Sequence, residues 1–536
     1  MARTINETIR ICTEEYLKII DVDNPPTPAD IEAELVTFVK EACMLENQVR
    51  AKVDSLKAPT KLLPAQIAEV MLKLYHIVKV TTTGNNTNPE YDLLAIYQSS
   101  GEDKGIYITD ESIFKKLATA FNYTITGYEL NEVIEILSFK ANRVCRTQNQ
   151  DLIAVNNGVF NYKSKQLEPF SPKYVFLSKS KVDYNPNATN VIIHNDVDGT
   201  DWDVESWMAD LSDDPEVVEL LWEILSALVR PFVRWNKSAW FYSNTGNNGK
   251  GTLCELMRRL CGDGSYATIP LTDFSKDFAL EPLTRSTAII VDENDVGCYI
   301  DKAANLKAVI TNDVISVNRK FKTPISYQFY GFMVQCLNEF PRIKDKSESF
   351  YRRQLFIPFN KCFTGRERKY IKNDYLHRPE VLEYVLYKVL MTNFYSLSEP
   401  AACKCALDEY KEYNDPVRQF LDEILPQLKW NLVPFSFLYD LYKAWFRNNS
   451  PSGIVEGRNT FINEVIRLLS DYDDWHCIGK GKEIRRGSLM DDSEPLILEY
   501  DLVDWKNPNY IGNDASKITT PGDALKPKYR GIIRSK

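Results

Sequence analysis

The sequence predicts a mixed α/β chain of several domains, mostly helical in its N-terminal part. Between Ser238 and Phe359 apolar strands alternate with helices, the pattern of a three-layer α/β domain. Apolar residues recur at helical spacing in Ala29–Asn47 and again in Pro64–Val78. At 536 residues the chain is also too long for one core. Four segments are expected: a helical region over 1–90, an α+β domain over 91–200, the central α/β domain with a helical collar over 201–395, and a last domain with a basic tail over 396–536.

Composition excludes several classes. Hydrophobic residues at 44% and charged residues at 26% are ordinary for folded proteins, so wholesale disorder and collagen-like or coiled-coil repeats do not fit. No stretch approaches the ~20 apolar residues of a membrane span, so no membrane partner is expected. The start, Met1-Ala2-Arg3-Thr4, turns acidic at Glu7, Glu14 and Glu15 without an apolar signal core, which points to the cytoplasm. Eleven cysteines are scattered from Cys12 to Cys477 without CxxC spacing, and only four histidines accompany them. Reduced thiols are expected, with no structural zinc. The net charge of −9 argues against coating nucleic acid with the whole surface but leaves room for a narrow basic channel.

Taken in order, the helical start ends in the polar run Thr81–Pro89, a linker composition. Asp151–Phe160 reads as a strand entering a tight turn at Asn157-Gly158. Asp214-Pro215 is a helix-start signal, followed by Val217, Val218, Leu221, Leu225 and Leu228 on one face and ending before Pro231. After the α/β region a helical stretch is expected around Glu380–Leu397. Asp415-Pro416 opens another helical region, with Pro434–Arg447 and Thr460–Leu469 as further helices. Lys480–Arg486 and Leu496–Tyr500 fit a two-stranded wing, and the run from Lys526 to Lys536 reads as a flexible basic tail.

The most informative segment runs from Ala239 to Thr252. An aromatic strand enters a loop of small and left-handed-tolerant residues, then a helix expected over Leu253–Leu260. Such a loop lets backbone N–H groups of Gly246, Asn247, Asn248 and Gly249 turn inward on phosphate oxygens. The helix start adds positive charge, and Lys250 reaches the outer phosphates. The strict GxxxxGK[ST] pattern is not met. Asn244 stands at the first glycine, and Gly251 stands where the metal-binding hydroxyl belongs, leaving Thr252 as the nearest substitute. By itself the loop also fits an ordinary glycine-rich helix cap.

Three later elements follow in the order a phosphoryl-transfer site needs. Thr287–Val291 ends in Asp292-Glu293, one acid for Mg²⁺ and one to polarise the attacking water. Gly331–Leu337 ends in Asn338, an amide able to orient that water. Arg352-Arg353 stand before the strand around Ile357, where arginine donated to a neighbouring copy would stabilise transition-state charge. Each alone has a bland explanation, as a surface acid, a turn asparagine or a salt bridge; their order is what points to ATP with Mg²⁺.

These residues resemble a superfamily 3 helicase of the poxvirus and phage/plasmid primase–helicase type. The match covers Asn247–Thr252, Asp292-Glu293, Asn338 and Arg352-Arg353. It also covers Leu306–Lys322, which resembles the motif peculiar to that superfamily. Val155–Phe160 and Val182–Pro186 are similar to the domain preceding the helicase, and Pro416–Leu469 resembles the winged-helix tail. The resemblance implies an AAA+ type P-loop ATPase core and a C-terminal winged-helix domain. It further implies a homo-hexameric ring with ATP between subunits, and a hairpin projecting into the pore. Lys307, Arg319, Lys320, Phe321 and Lys322 would then contact DNA, by phosphate pairing and by stacking on Phe321. The implied activity is ATP-driven translocation on single-stranded and forked DNA, in replication of a phage or mobile element in a bacterial host cytoplasm. A primase or initiator encoded separately would be its partner, because no primase signature of paired acids and a following histidine is present. An origin-binding initiator without processive unwinding, or a small-molecule kinase sharing the loop, are the competing readings.

Overall fold

A capping box starts the first helix: the Thr4 hydroxyl accepts from the Glu7 N–H, and the Glu7 carboxylate accepts from the Thr4 N–H. The computed structural model describes residues 3–83, 88–320, 322–449, 455–478 and 482–535. They form a mixed α/β chain that divides into two compact units, Met1–Leu407 and Asp408–Lys536.

In the first unit, α1 (Ile5–Ile19), α2 (Pro28–Asn47) and α3 (Pro64–Leu74) come first. The helix expected to run to Val78 stops at Leu74, because β1 (Ile77–Val80) follows, its β-branched residues pairing with two strands at once. β1 sits in a four-stranded sheet with β2 (Leu93–Tyr97), β3 (Tyr107–Ile108) and β4 (Asn142–Val144), packed under α4 (Glu111–Phe121) and α5 (Gly127–Lys140). The expected linker after β1 keeps Thr81–Thr83 buried; Gly84–Thr87 lie outside the described residues. Next come the antiparallel β5 (Leu152–Val155), β6 (Gly158–Asn161) and β7 (Gln166–Glu168), then the pair β8 (Ile193–Asn195) and β9 (Thr200–Trp202). α6 (Val204–Ala209) and α7 (Pro215–Val229) follow. Asp214 caps α7, and Pro215 stands in its first turn, as the sequence predicts.

The central sheet is wholly parallel. It is built from β10 (Ser238–Tyr242), β11 (Tyr266–Ala267), β12 (Ala288–Val291), β16 (Phe332–Leu337) and β18 (Gln354–Pro358), in the order β11-β12-β16-β10-β18. All four residues of β12 and all six of β16 are buried, as strands covered on both faces must be. One face packs on α7, on α8 (Lys250–Cys261) and on α12 (Pro379–Leu390). The helix expected around Glu380–Leu397 therefore ends at Leu390. On the other face Trp240, Phe350 and Phe356 pack edge-on and tilted. Smaller elements complete the unit: β13 (Tyr299–Ile300) beside β17 (Arg342–Ile343), α9 (Ala304–Ile310), α10 (Glu348–Tyr351) and α11 (Lys369–Asn373). An antiparallel hairpin joins β14 (Val314–Arg319) to β15 (Lys322–Gln328). The division between units falls in α13 (Ala401–Tyr413).

The hairpin base is anchored to the N-terminal sheet. Arg146, just past β4, donates to the Tyr327 hydroxyl at 2.8 Å and the Gln328 carbonyl at 2.6 Å, and its guanidinium stacks near the Tyr327 and Tyr330 rings. Gln328 N–H in turn donates to Thr82 O.

The second unit holds α14 (Pro416–Ile424), capped by Asp415, with α15 (Phe435–Asn449) and α16 (Arg458–Leu468). Their core is aromatic, with Tyr442 and Phe461 stacked at 4.6 Å and Phe420 edge-on to both. β19 (Leu432–Pro434), β23 (Gly531–Arg534) and β20 (Trp475–His476) form an antiparallel sheet. Two expectations are corrected here. Leu496–Tyr500 is not a strand: Leu496–Glu499 forms a helical turn, α17, that buries Leu496 and Ile497 side by side, which a strand cannot do on one face. β21 (Ile484–Arg485) pairs instead with β22 (Lys528–Tyr529). The tail is accordingly not flexible through Arg534, since Ile532 is fully buried in β23. A last helical turn, α18 (Ala515–Ile518), precedes it, and Lys480, Gly481 and Lys536 lie outside the described residues.

Lys179, only 3% exposed, donates from Nζ to the Lys104 carbonyl at 2.9 Å. Burial, helped by the nearby Lys181, lowers its ammonium from 10.5 to about 8. Between those values the unfolded chain binds more protons than the native one, so this lysine makes stability rise as pH climbs from 8 towards 10.5. Thermal melts of wild type and Lys179→Met should therefore diverge in favour of the wild type across that interval; a constant difference would place the ammonium in water.

Candidate functional site

β10 delivers the chain to the C-terminal edge of the sheet. There Tyr242 stacks on Phe340 at 4.0 Å, and Ser243 N–H donates to Leu337 O of the neighbouring strand. Ser243 Oγ accepts from Thr245 N–H at 3.2 Å and begins the turn. Asn247 (φ 53°) and Gly249 (φ 86°) adopt the left-handed backbone for which the sequence reserves such residues. Gly249 is doubly constrained, because a Cβ there would stand 2.6 Å from Leu211 Cδ2. Gly246 is open, with nothing within 4 Å of a Cβ. Asn248, buried, donates to Thr245 O and accepts from Lys250 N–H at 3.4 Å. The helix then starts at Lys250, three residues before the sequence places it, because Asn248 and Gly249 already form its cap.

Lys250 is 5% exposed. Its Nζ donates to Leu337 O at 3.1 Å and to Asn338 Oδ1 at 3.0 Å, and burial lowers its pKa. The loop lysine and the strand-end asparagine are thus in direct contact. Register places the acids at the same edge: Val291 pairs with Gln335, and Phe241 with Cys336. Asp292 Oδ1 accepts from Arg258 of α8 at 2.9 Å, and Glu293 is exposed beside it. Arg258 was not foreseen; the Arg258-Arg259 pair in a helix following a phosphate loop was its only signal. Thr252 is half-buried on α8, and among the described residues no hydrogen bond joins it to Asp292. Gly251 is likewise half-buried in the first turn.

The other predicted residues lie elsewhere. β18 runs parallel to β10, with Ser238 opposite Gln354 and Tyr242 opposite Pro358. Arg352 and Arg353 precede β18, so they stand at the N-terminal edge, five residues of strand or roughly 16 Å from the loop that follows β10. The two also differ. Arg353 is half-buried, donates to the Ser349 carbonyl and, at 2.9 Å, to the Ser349 hydroxyl, and its carbonyl accepts from Ser238 N–H. Arg352 is exposed at the end of α10, and among the described residues its side chain has no ion pair.

Near that N-terminal edge lies the hairpin base, since the Asp313 carboxylate before β14 is among the charges around Arg353. Arg319 pairs across the turn with Lys322, leaving Lys320 and position 321 between them; Phe321 is outside the described residues. Lys307, Arg319 and Lys322, among the expected DNA-contacting residues, have partners within the chain. Lys307 lies on α9, away from the tip, and pairs with Asp345 at 2.5 Å. Arg319 donates to Thr323 O at 3.0 Å, and Lys322 pairs with Glu111 at 2.6 Å.

A cleft of about 1230 Å³ opens beside the loop, between α6 and residues 361–373, with Asn247, Gly249 and Thr252 in its wall. Phe363 N–H donates to Asn247 O at 2.7 Å, tying this segment to the loop. Sequence reading passed over it, because nothing in its spacing marks it as part of a site. Among the described residues no helix is long and apolar enough to cross a membrane.

Comparison with known proteins gives three family matches. Residues 133–213 match a family described as D5 N terminal like, residues 241–353 a family of unknown function (DUF5906), and residues 412–486 a family described as poxvirus D5 protein-like. Among solved structures, an apo form of the NrS-1 C-terminal region is 15% identical, covering 88% of this chain and 100% of that one at a TM-score of 0.42. A second apo structure of that region is 14% identical, with 88% and 99% coverage and a TM-score of 0.40. Overlap that loose carries no function. The family matches place D5-type sequence on both sides of the central parallel-sheet domain.

Proposed function

We propose that this chain is an ATP-dependent DNA helicase of the superfamily 3 kind, acting as a homo-hexameric ring in replication of a phage or mobile element. The observation that supports it most is the division of the expected site between opposite edges of one sheet. Loop, acids and Asn338 share the C-terminal edge, where open parallel sheets bind ligands. The arginines stand at the other edge and could reach a nucleotide only on a neighbouring copy. The strand order, with the phosphate-loop strand between β16 and β18, suits an AAA+ core. Three helices with a small antiparallel sheet in the second unit suit a winged-helix domain.

In this reading Gly246 to Thr252 enclose the phosphates of ATP. Lys250, already desolvated, exchanges Leu337 O and Asn338 for phosphate oxygens. Thr252 and Asp292 offer the hard oxygen donors that suit Mg²⁺, which would neutralise phosphate charge there. Arg258 holds Asp292 meanwhile and must share or release it. Asn338, freed from Lys250, orients the attacking water, and Glu293 takes its proton. Arg352 is the better candidate to act in the neighbouring site, because Arg353 is committed to Ser349. Lys320, at the hairpin turn, would grip single-stranded or forked DNA in the pore. The work would be done in the cytoplasm of a bacterial host, with any primase or initiator supplied by another chain.

Lys250→Ala should lower ATP turnover by about 10²–10³-fold, the loss expected for one preorganised donor at a developing charge. Turnover near wild type would remove the loop from the chemistry. Arg352→Ala should lower turnover by roughly 10³-fold or more at unchanged melting temperature, whereas Arg353→Ala should lower the melting temperature. The reverse pattern would exchange their roles. Lys320→Ala should keep basal turnover while abolishing its stimulation by single-stranded DNA and strand displacement on a fork. Normal unwinding by that variant would remove the hairpin from DNA contact, and site-specific binding without any unwinding by the wild type would favour an initiator.

A further inference from the structure

The cleft beside the phosphate loop has unused chemistry in its wall. Arg366, Lys369 and Lys372 line it, and among the described residues none has a side-chain hydrogen bond or ion pair. The acids lining the same cleft are engaged. Asp201 pairs with His194, Asp203 accepts from Ser206 and Asn190, Asp210 pairs with Lys361, and Glu367 accepts from Asn247 and Gly365. The donors still unengaged in this wall are therefore cationic. Lys372 stands closest to the loop, because a Cβ on Gly251 would lie 3.8 Å from its Nζ. A cation against the first turn of a helix meets the positive end of the helix dipole, an arrangement that an anion between them would relieve.

The opposite wall is aromatic. Trp207 is half-buried on α6, and Trp202 behind it is 4% exposed, their rings 6.4 Å apart. Among the described residues the indole N–H of Trp202 is buried without a hydrogen-bond partner, although such a donor is costly to leave unpaired. A flat apolar face and unpaired cations beside the loop match a nucleoside carrying a phosphate chain.

We propose that this cleft holds the nucleoside of the bound nucleotide, with Trp207 against the base and Lys372 on the phosphates. The clamp rests on the nucleotide reading of the loop. Base, sugar and phosphate contacts would then all come from one chain, and the neighbouring copy would add only the arginine.

Equilibrium binding of ATP and of inorganic tripolyphosphate to the full chain separates the two walls. Lys372→Ala should weaken both by on the order of tenfold, the scale of one charge-assisted hydrogen bond, and Lys372→Arg should restore most of it. Trp207→Ala should weaken ATP on the order of tenfold and leave tripolyphosphate unchanged, which also reports that the variant is folded. Trp207→Phe should keep ATP binding. If the wild type binds both ligands and Lys250→Ala binds neither, but Lys372→Ala or Trp207→Ala binds ATP as the wild type does, the clamp is wrong and the loop stands. Equal weakening of both ligands by Trp207→Ala also overturns the assignment of the base. A wild type that binds neither ligand defeats loop and clamp together.

Discussion

The arrangement hinges on a buried ammonium. Lys250 lies at the start of a helix, almost wholly out of water, held among the described residues by a strand-end carbonyl and the Asn338 amide oxygen. Neither partner carries a formal charge, so desolvation is left uncompensated and the pKa falls. A group held in that way favours an anion strongly once one arrives. The rest of the edge follows. Parallel pairing of β10 with β16 brings the asparagine to the lysine, and pairing of β12 with β16 brings the acids alongside. Gly249 allows the turn only because it carries no side chain against Leu211.

The same pairing that assembles one edge excludes the arginines from it. A parallel strand enters at the far end by construction, so residues just before β18 cannot meet residues just after β10 in one chain. The hairpin base lies near those arginines, and Arg146 and Thr82 tie its return strand to the N-terminal sheet. A change at the arginine edge is therefore placed to reach the hairpin and the preceding domain through packed contacts. The local charge is modest, because Lys307, Arg319 and Lys322 are already satisfied within the chain.

Much of this was legible in the residues. Strands buried on both faces read as continuous apolar runs, and Asp-Pro pairs open helices at Asp214 and Asp415 through chemistry confined to neighbours. The loop was legible because left-handed turns select glycine and asparagine. What escaped depends on partners far along the chain. β1 is short, and only its pairing with β2 and β4 separates it from the helix before it. Leu496–Glu499 is an apolar run of a length that fits strand or helix turn equally, and burial of adjacent residues decides it. The tail is ordered because Ile532 finds β19, about a hundred residues earlier. In the site, the approach of Lys372 to Gly251 and of Arg258 to Asp292 is set by tertiary packing that no local spacing encodes.

The central claim is that a working site takes its loop from one copy and its arginine from the next. Mixing purified Lys250→Ala with Arg352→Ala, each inactive alone, tests it most directly through steady-state ATP turnover. The account predicts that turnover returns in the mixture, where an intact loop of one variant faces an intact arginine of the other. A mixture as inactive as either variant alone, under conditions where the chains exchange, would contradict it.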